Sequence, residues 1–223
     1  MGRLASLADV SDPRSLANRF RARRFRRFAE LLPSGRPLSL LVVGGTVEFW
    51  RQRGWLRRPD LHIVVYGMDP GGEAEGNLEV VEGDATCLPY PDGAFDVVFS
   101  NSVIEHLAER ARQRQMAREV MRVGKAYWVQ TPNYWFPVEP HFLVPGWQWL
   151  PEAVRVELLR RLRLGRRGPY ADRQAARESV REIRLLTRRE LADLFPGAAL
   201  WPERLFGLVK SWVAYAGFDG LRT

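Results

Sequence analysis

The run GDATCLPYPDGAFDVVFSNSVIEHL, Gly83 to Leu107, decides the fold. An acidic residue, Asp84, follows one apolar run, and Leu88-Pro89 marks a turn. A second run led by Asp96 extends to Ser100 and gives way to Asn101-Ser102-x-x-Glu105-His106. That order suits the ligand edge of a parallel sheet, where strands present short polar groups at their C-terminal ends.

Outward from this run the pattern alternates between strand and helix. Leu38 to Val43 is continuously apolar and ends in Gly44-Gly45, as a buried parallel strand entering a tight turn does. Thr46 is positioned to cap a helix ending near Gly54. Strands are predicted at 61–66, 78–81, 95–100 and 126–130, with a helix over 109–122. The gap between Asp69 and the third strand is too short for a crossover helix. Beyond Asn133 the chain is rich in aromatics and prolines, followed by a basic helix over 152–164 and a Gly/Arg/Pro linker. Thr187-x-x-Glu190 reads as a capping box for a helix over 187–194, and two last apolar runs, 198–201 and 208–216, complete the sheet.

The expected fold is therefore an open, doubly wound α/β sheet, mostly parallel and Rossmann-like, with helices on both faces. Residues 1–35 form a polar lead and a basic helix packed on the core; Phe20, Arg24, Phe28 and Leu31/Leu32 fall on one stripe of its 18–32 segment. Residues 36–223 are the main domain, with 133–185 as an aromatic and basic insertion covering the substrate.

The chain has 223 residues, 34 basic and 26 acidic, for a net charge of +8, and Lys125 and Lys210 are its only lysines. Arginine richness favours an acidic partner, but no nucleic-acid motif accompanies it, and no nucleic acid is expected as a partner. The N-terminal run lacks an apolar signal segment and no apolar run is long enough to span a membrane, so a cytoplasmic protein is expected. The single cysteine, Cys87, excludes an internal disulfide and a cysteine-cluster metal site. Oligomeric state is not legible.

The 83–107 run resembles the middle of the class I S-adenosylmethionine-dependent methyltransferases. A narrower resemblance, to a bacterial methyltransferase-like subfamily with a Gly-Gly-Thr-x-x-Phe-Trp turn, rests on Gly44, Gly45, Thr46, Phe49 and Trp50. It continues through 100–106, 115–133, 136–145, 185–198 and 205–211. The common acidic-Gly-x-Gly-x-Gly pattern is altered here, with Val42 at the acidic position and Thr46 and Glu48 at the later glycines.

The resemblance implies that Gly44, Gly45 and Thr46 meet the cofactor, S-adenosylmethionine. It puts Asp69 on the ribose hydroxyls, Asp84 and the Ala85 backbone at the adenine, and Asn101 and Ser102 beside the sulfonium. Structural alternatives stand beside these: a turn-forming Asp69, an Asx turn at Asp84, a helix cap at Ser102. Glu105-His106 resembles part of a Glu-x-x-Glu-His metal site of some methyltransferases, but Ser102 holds the first position and no metal is expected. His106 and His141 are the candidate general bases for an oxygen acceptor, with a buried structural histidine as the alternative for His106. Tyr134, Trp135 and His141 are the candidate acceptor contacts; Phe136, Trp147 and Trp149 either join them or pack the insertion.

Methyl transfer to a small-molecule, sugar or lipid-linked acceptor, at oxygen, is the leading expectation, with peripheral membrane contact through the aromatic loop and arginines 155–167 as a further option. The alternative is a methyltransferase-like protein without transfer activity, motivated by Val42 and by a Glu48 that would repel the cofactor's carboxylate unless it faces solvent. A nicotinamide dehydrogenase would require Gly-x-Gly-x-x-Gly after the first strand, which this chain lacks.

Overall fold

The structure is a computed structural model that describes residues 15–222; the expected polar lead over residues 1–14 lies outside them. The apolar runs become β1 (Leu38–Val43), β2 (Leu61–Gly67), β3 (Leu78–Glu82), β4 (Phe95–Asn101), β5 (Gly124–Pro132), β6 (Ala199–Leu205) and β7 (Leu208–Ala216). They form one sheet in the order β3-β2-β1-β4-β5-β7-β6. The first five strands are parallel, whereas β7 runs antiparallel to both β5 and β6. The reversal of strand order between β1 and β4 opens a crevice at their C-terminal ends, where α/β sheets bind ligands.

Alternate residues of each central strand serve opposite faces. Leu41, Val43, Val98 and Val129 face the apolar side of α3 (Arg110–Val123), with Met116, Ala117 and Val120, and of α6 (Arg188–Leu194). Leu40, Val42, Phe99 and Trp128 face the other side, where α1 (Leu16–Leu31) and α2 (Val47–Arg51) lie. Phe28 is fully buried there, with its ring 4.8 Å from Phe99 and 5.8 Å from Trp128.

Three features differ from the sequence expectation. Thr46 occupies the N-cap position of α2 but makes no side-chain cap bond. β5 is longer at both ends than the 126–130 run, because it pairs with β4 on one side and β7 on the other. The region read as a linker contains a helix, α5 (Arg173–Arg181), capped by the Asp172 carboxylate on the Ala175 N–H at 2.8 Å. With α4 (Glu152–Arg161) it builds a separate small core of Phe142, Trp147, Val156, Leu159, Ala176 and Val180. The capping box at Thr187 and Glu190 is formed as expected.

Arg24 is the arginine on the apolar stripe of α1, and it is buried. Its Nη2 and Nε donate to the Glu203 carboxylate on β6 at 2.8 and 3.2 Å, and its Nη1 donates to Gln130 at 2.5 Å and to Asn101. Ser211 donates to the same carboxylate at 2.8 Å. One guanidinium thus ties α1 to three strands, β4, β5 and β6. Burial alone would raise the Glu203 carboxyl, but Arg24 and Lys210 outweigh it and hold the group below its ordinary value.

Removing one partner of a buried pair leaves an uncompensated charge, so Arg24→Met should cost about 3–5 kcal/mol in denaturant unfolding, with partial recovery when Glu203→Gln is added. Because the folded carboxyl titrates below its reference value of 4.5, its contribution is present above that pH and is lost as pH falls through the folded value. Acid unfolding curves of wild type and Glu203→Gln should therefore converge at low pH; parallel curves would show that the pair does not contribute.

Candidate functional site

The turn after β1 is shaped by two left-handed glycines, with φ of +69° at Gly44 and +125° at Gly45. The Gly44 N–H donates to the Tyr66 carbonyl at 2.8 Å, and a Cβ at Gly44 would overlap the Val103 side chain. Only glycine meets both conditions. The turn opens on a cavity of about 390 Å³, lined by Val42, Gly44, Gly45, Thr46, Phe49 and Asn101 and roofed by Asn18 and Arg21 of α1, with Arg53 beside it.

Two arginines absent from the sequence reading define this cavity's charge. Among the described residues Arg21 has no hydrogen bond or ion pair, and burial, then Arg24 and Arg166, lower its pKa. Arg53 stacks its guanidinium 3.5 Å from the Phe49 ring centroid and donates to the Phe49 carbonyl at 2.7 Å. Burial, then Arg21 and Arg24, bring its pKa down to about 10. Both guanidiniums thus lie at the cavity, each with its pKa lowered by burial and by neighbouring arginines. Glu48 also borders it but is held outward by Arg51 and by Gln52 at 3.0 Å, its side chain half exposed.

Asp69 follows β2 at an exposed position, and the next loop folds back onto α2, where the Val47 N–H reaches the Gly71 carbonyl at 3.5 Å. Asp84 spends one oxygen on the Thr86 N–H at 2.9 Å, an Asx turn, and the other on Arg112 at 2.7 Å. Ala85 is buried in the core beside it. Asn101 is the last residue of β4, and its side-chain oxygen is taken by Arg24. Ser102 caps no helix. It sits at φ +58°, a strained conformation for a non-glycine residue, and donates to Gln130 at 3.0 Å. Gln130 therefore receives Arg24 and Ser102 together.

Past Ser102, Glu105 and His106 lie on a short 3-10 turn, Ile104–His106. Buried Gln113 of α3 fixes that turn by donating to the carbonyls of Ile104 and Arg184, both at 3.0 Å. Glu105 is fully buried; Thr131 of β5 donates to its Oε2 at 3.0 Å, while Oε1 has no partner. Burial pushes its carboxyl up to about 7, against the opposing pull of His141. The insertion brings His141 to His106, ring centroids 4.9 Å apart and perpendicular. His141 Nδ1 lies 2.6 Å from the buried Glu139 carboxylate, and His106 Nδ1 lies 3.4 Å from Glu182. Burial and the neighbouring His141 lower the His106 pKa, whereas at His141 the effect of burial is outweighed by Glu139, which raises it.

The insertion holds a second cavity, of about 520 Å³, lined by Tyr134, Glu139, Trp147, Gln148, Arg155 and Arg184 among others. Arg184 is committed to Gln113 and Glu190, both at 2.6 Å. Arg155 has no hydrogen bond or ion pair among the described residues, and burial lowers its pKa. Trp135, expected to meet the acceptor, is 63% exposed and lines neither cavity, its ring edge-to-face with Tyr134 at 4.9 Å. Trp147 is instead core, stacked on Phe142 at 4.4 Å.

Comparison with known proteins agrees with this architecture. Residues 58–127 match the family described as Methyltransferase domain. An uncharacterized protein of Mycobacterium tuberculosis is 41% identical over 128 residues, covering 51% of this chain and 42% of that one. Ajmaline N-methyltransferase of Rauvolfia serpentina is 37% identical over 66 residues, covering 30% and 22%. The matches thus span less than half the length of these curated relatives. A phosphoethanolamine N-methyltransferase of Haemonchus contortus, solved with phosphomonomethylethanolamine and S-adenosylhomocysteine, superposes with a TM-score of 0.51 at 11% identity, over 81% of this chain and 38% of that one. The fold is the class I methyltransferase fold, and residues 58–127 are methyltransferase-like in sequence. That match does not reach Gly44-Gly45-Thr46, on which the narrower subfamily resemblance rests.

Gly44→Ala should lower stability by about 1–3 kcal/mol through overpacking against Val103 and the left-handed backbone. Adding Val103→Ala should return part of the loss in thermal melts. No recovery would show that backbone strain alone is responsible.

Proposed function

We propose that this chain is an S-adenosylmethionine-dependent methyltransferase acting on an oxygen of an acidic small-molecule or glycan- or lipid-linked acceptor. The observation that carries the reading is the cavity at the Gly44-Gly45 turn, lined by Arg21 and Arg53, with the Glu48 carboxylate already taken by Arg51 and Gln52. The cavity fits the cofactor: left-handed glycines let the backbone approach, and two guanidiniums await a carboxylate. In this reading Arg21 and Arg53 take the charge role that the altered glycine pattern leaves open. Asp69 holds the ribose hydroxyls and Asn101 borders the reacting end. Asp84 would exchange Arg112 or its Asx turn for the adenine edge.

When bound, the cofactor supplies an electrophilic methyl group; the chain's own residues bind, align and exclude water. His141, oriented by Glu139, and His106 are the groups that would accept the acceptor's proton. Arg155 and Tyr134 in the insertion cavity support an anionic acceptor. Exposed Trp135, Trp149 and Leu162 on the insertion, which also carries Arg160 and Arg161, support peripheral contact with an anionic lipid surface. Among the described residues no helix is long and apolar enough to cross a membrane; a cytoplasmic site of action remains part of the proposal.

Calorimetric titration with S-adenosylmethionine and S-adenosylhomocysteine tests the reading. Binding should be weakened about tenfold or more by Asp69→Ala and by Arg21→Ala, the loss expected for a charge-assisted hydrogen bond. Absence of binding by either compound would move the assignment to a methyltransferase-like protein without transfer activity.

A further inference from the structure

We propose that Glu105, His106 and His141 form a binding site for one divalent transition-metal cation, with Zn²⁺ the ion best suited to the donors. Each residue offers one ligand atom, and these atoms lie within 4.8 Å of one another. Ligands about 2.1 Å from a tetrahedral cation are about 3.4 Å apart, so the three must draw in by up to about 1.4 Å. The partly exposed His106 and His141 side chains have room for that adjustment, while Glu105 is fixed.

Three observations beyond proximity point to a cation. Glu105 is fully buried and its Oε1 has no hydrogen-bond partner, although Thr131 satisfies Oε2. A buried carboxylate oxygen left open beside two imidazoles lacks a positive partner of small size. His141 Nδ1 is held by buried Glu139, whose other oxygen accepts the N–H groups of His141 and Phe142, both at 2.7 Å. His106 Nδ1 is similarly held by Glu182, itself anchored by Arg167 at 2.5 and 2.9 Å. A carboxylate on Nδ1 sets the tautomer that leaves Nε2 with its lone pair free, the arrangement that supports metal-bound histidine. Two imidazoles with one carboxylate favour Zn²⁺ over Mg²⁺ or Ca²⁺.

The ligands come from the turn after β4 and from the insertion after β5, so the cation would staple the insertion to the sheet edge. Glu105 is sealed and the imidazoles are partly exposed, so open coordination positions lie on the histidine side. Their use by an acceptor oxygen rests on the transferase reading; metal binding itself does not.

The test is made without cofactor or acceptor. Full-length protein stripped with chelator is titrated with Zn²⁺ alone and with Mg²⁺ alone against a chromophoric competitor, in a Cys87→Ser background because that thiol is exposed. One equivalent of Zn²⁺ should bind, with Mg²⁺ far weaker. His106→Gln and His141→Gln should each weaken Zn²⁺ by more than about tenfold, and Glu139→Gln by about tenfold through loss of the orienting bond. His62→Gln, at an exposed histidine on β2, should change nothing. Because Glu105→Gln alters a buried site, the decisive comparison is between wild type and the two histidine variants, whose folding is checked by thermal melts of the metal-free forms. No stoichiometric Zn²⁺, or Zn²⁺ binding unchanged in both histidine variants, overturns the proposal. Either result leaves the cofactor titration, and hence the transferase reading, untouched.

Discussion

A single guanidinium holds the ligand edge of this protein together. Arg24 is buried, and desolvating it is tolerable only because Glu203 meets it with both oxygens and Gln130 and Asn101 accept its remaining donor. That requirement fixes where α1 lies, since the helix must bring its arginine over the ends of β4, β5 and β6. With the helix so placed, Asn18 and Arg21 become the roof of the cavity at the glycine turn. The same bonds orient Gln130, which in turn receives the strained Ser102.

The altered glycine turn follows from this arrangement. Val42 stands where related turns have an acid, and it is buried against the aromatic face beneath α1. A carboxylate there would be buried among Leu40, Phe99 and Trp50 with Arg24 already committed to Glu203. Positive charge reaches the cavity from outside the turn, from Arg21 of α1 and from Arg53. Glu48 is harmless because Arg51 and Gln52 hold it toward solvent.

Much of the fold is legible in the sequence because its signals are local. Strands buried on both faces read as continuous apolar runs, and the capping box at Thr187 is visible from two residues. The short gap after Asp69 excludes a crossover helix, and none is present. α5 escapes such a reading because Arg and Gly dominate its surroundings and its apolar face is only Ala176 and Val180, with Asp172 as the one start signal. The site is less legible, for a physical reason: its chemistry depends on which charges meet. An arginine on an apolar stripe is visible, but Glu203 as its partner is not. Likewise Glu105, His106 and His141 are separated by α3 and β5 in sequence, and their convergence is a property of the sheet. Asp84 shows the converse, since its position can be read and its commitment to Arg112 cannot.

The span between Arg24 and Glu203, 179 residues, bears on how the chain is made. α1 precedes the whole sheet in the chain, while the carboxylate, Lys210 and Ser211 belong to β6 and β7. Until those strands are synthesised the guanidinium has no counter-ion, and docking the helix would bury an unpaired charge along with Phe28. The cavity at the glycine turn is therefore roofed only once β6 and β7 are in place, although the turn itself is made long before them. A chain that stops before β6 would carry the glycine turn without the helix roof that Arg24 and Glu203 hold in place.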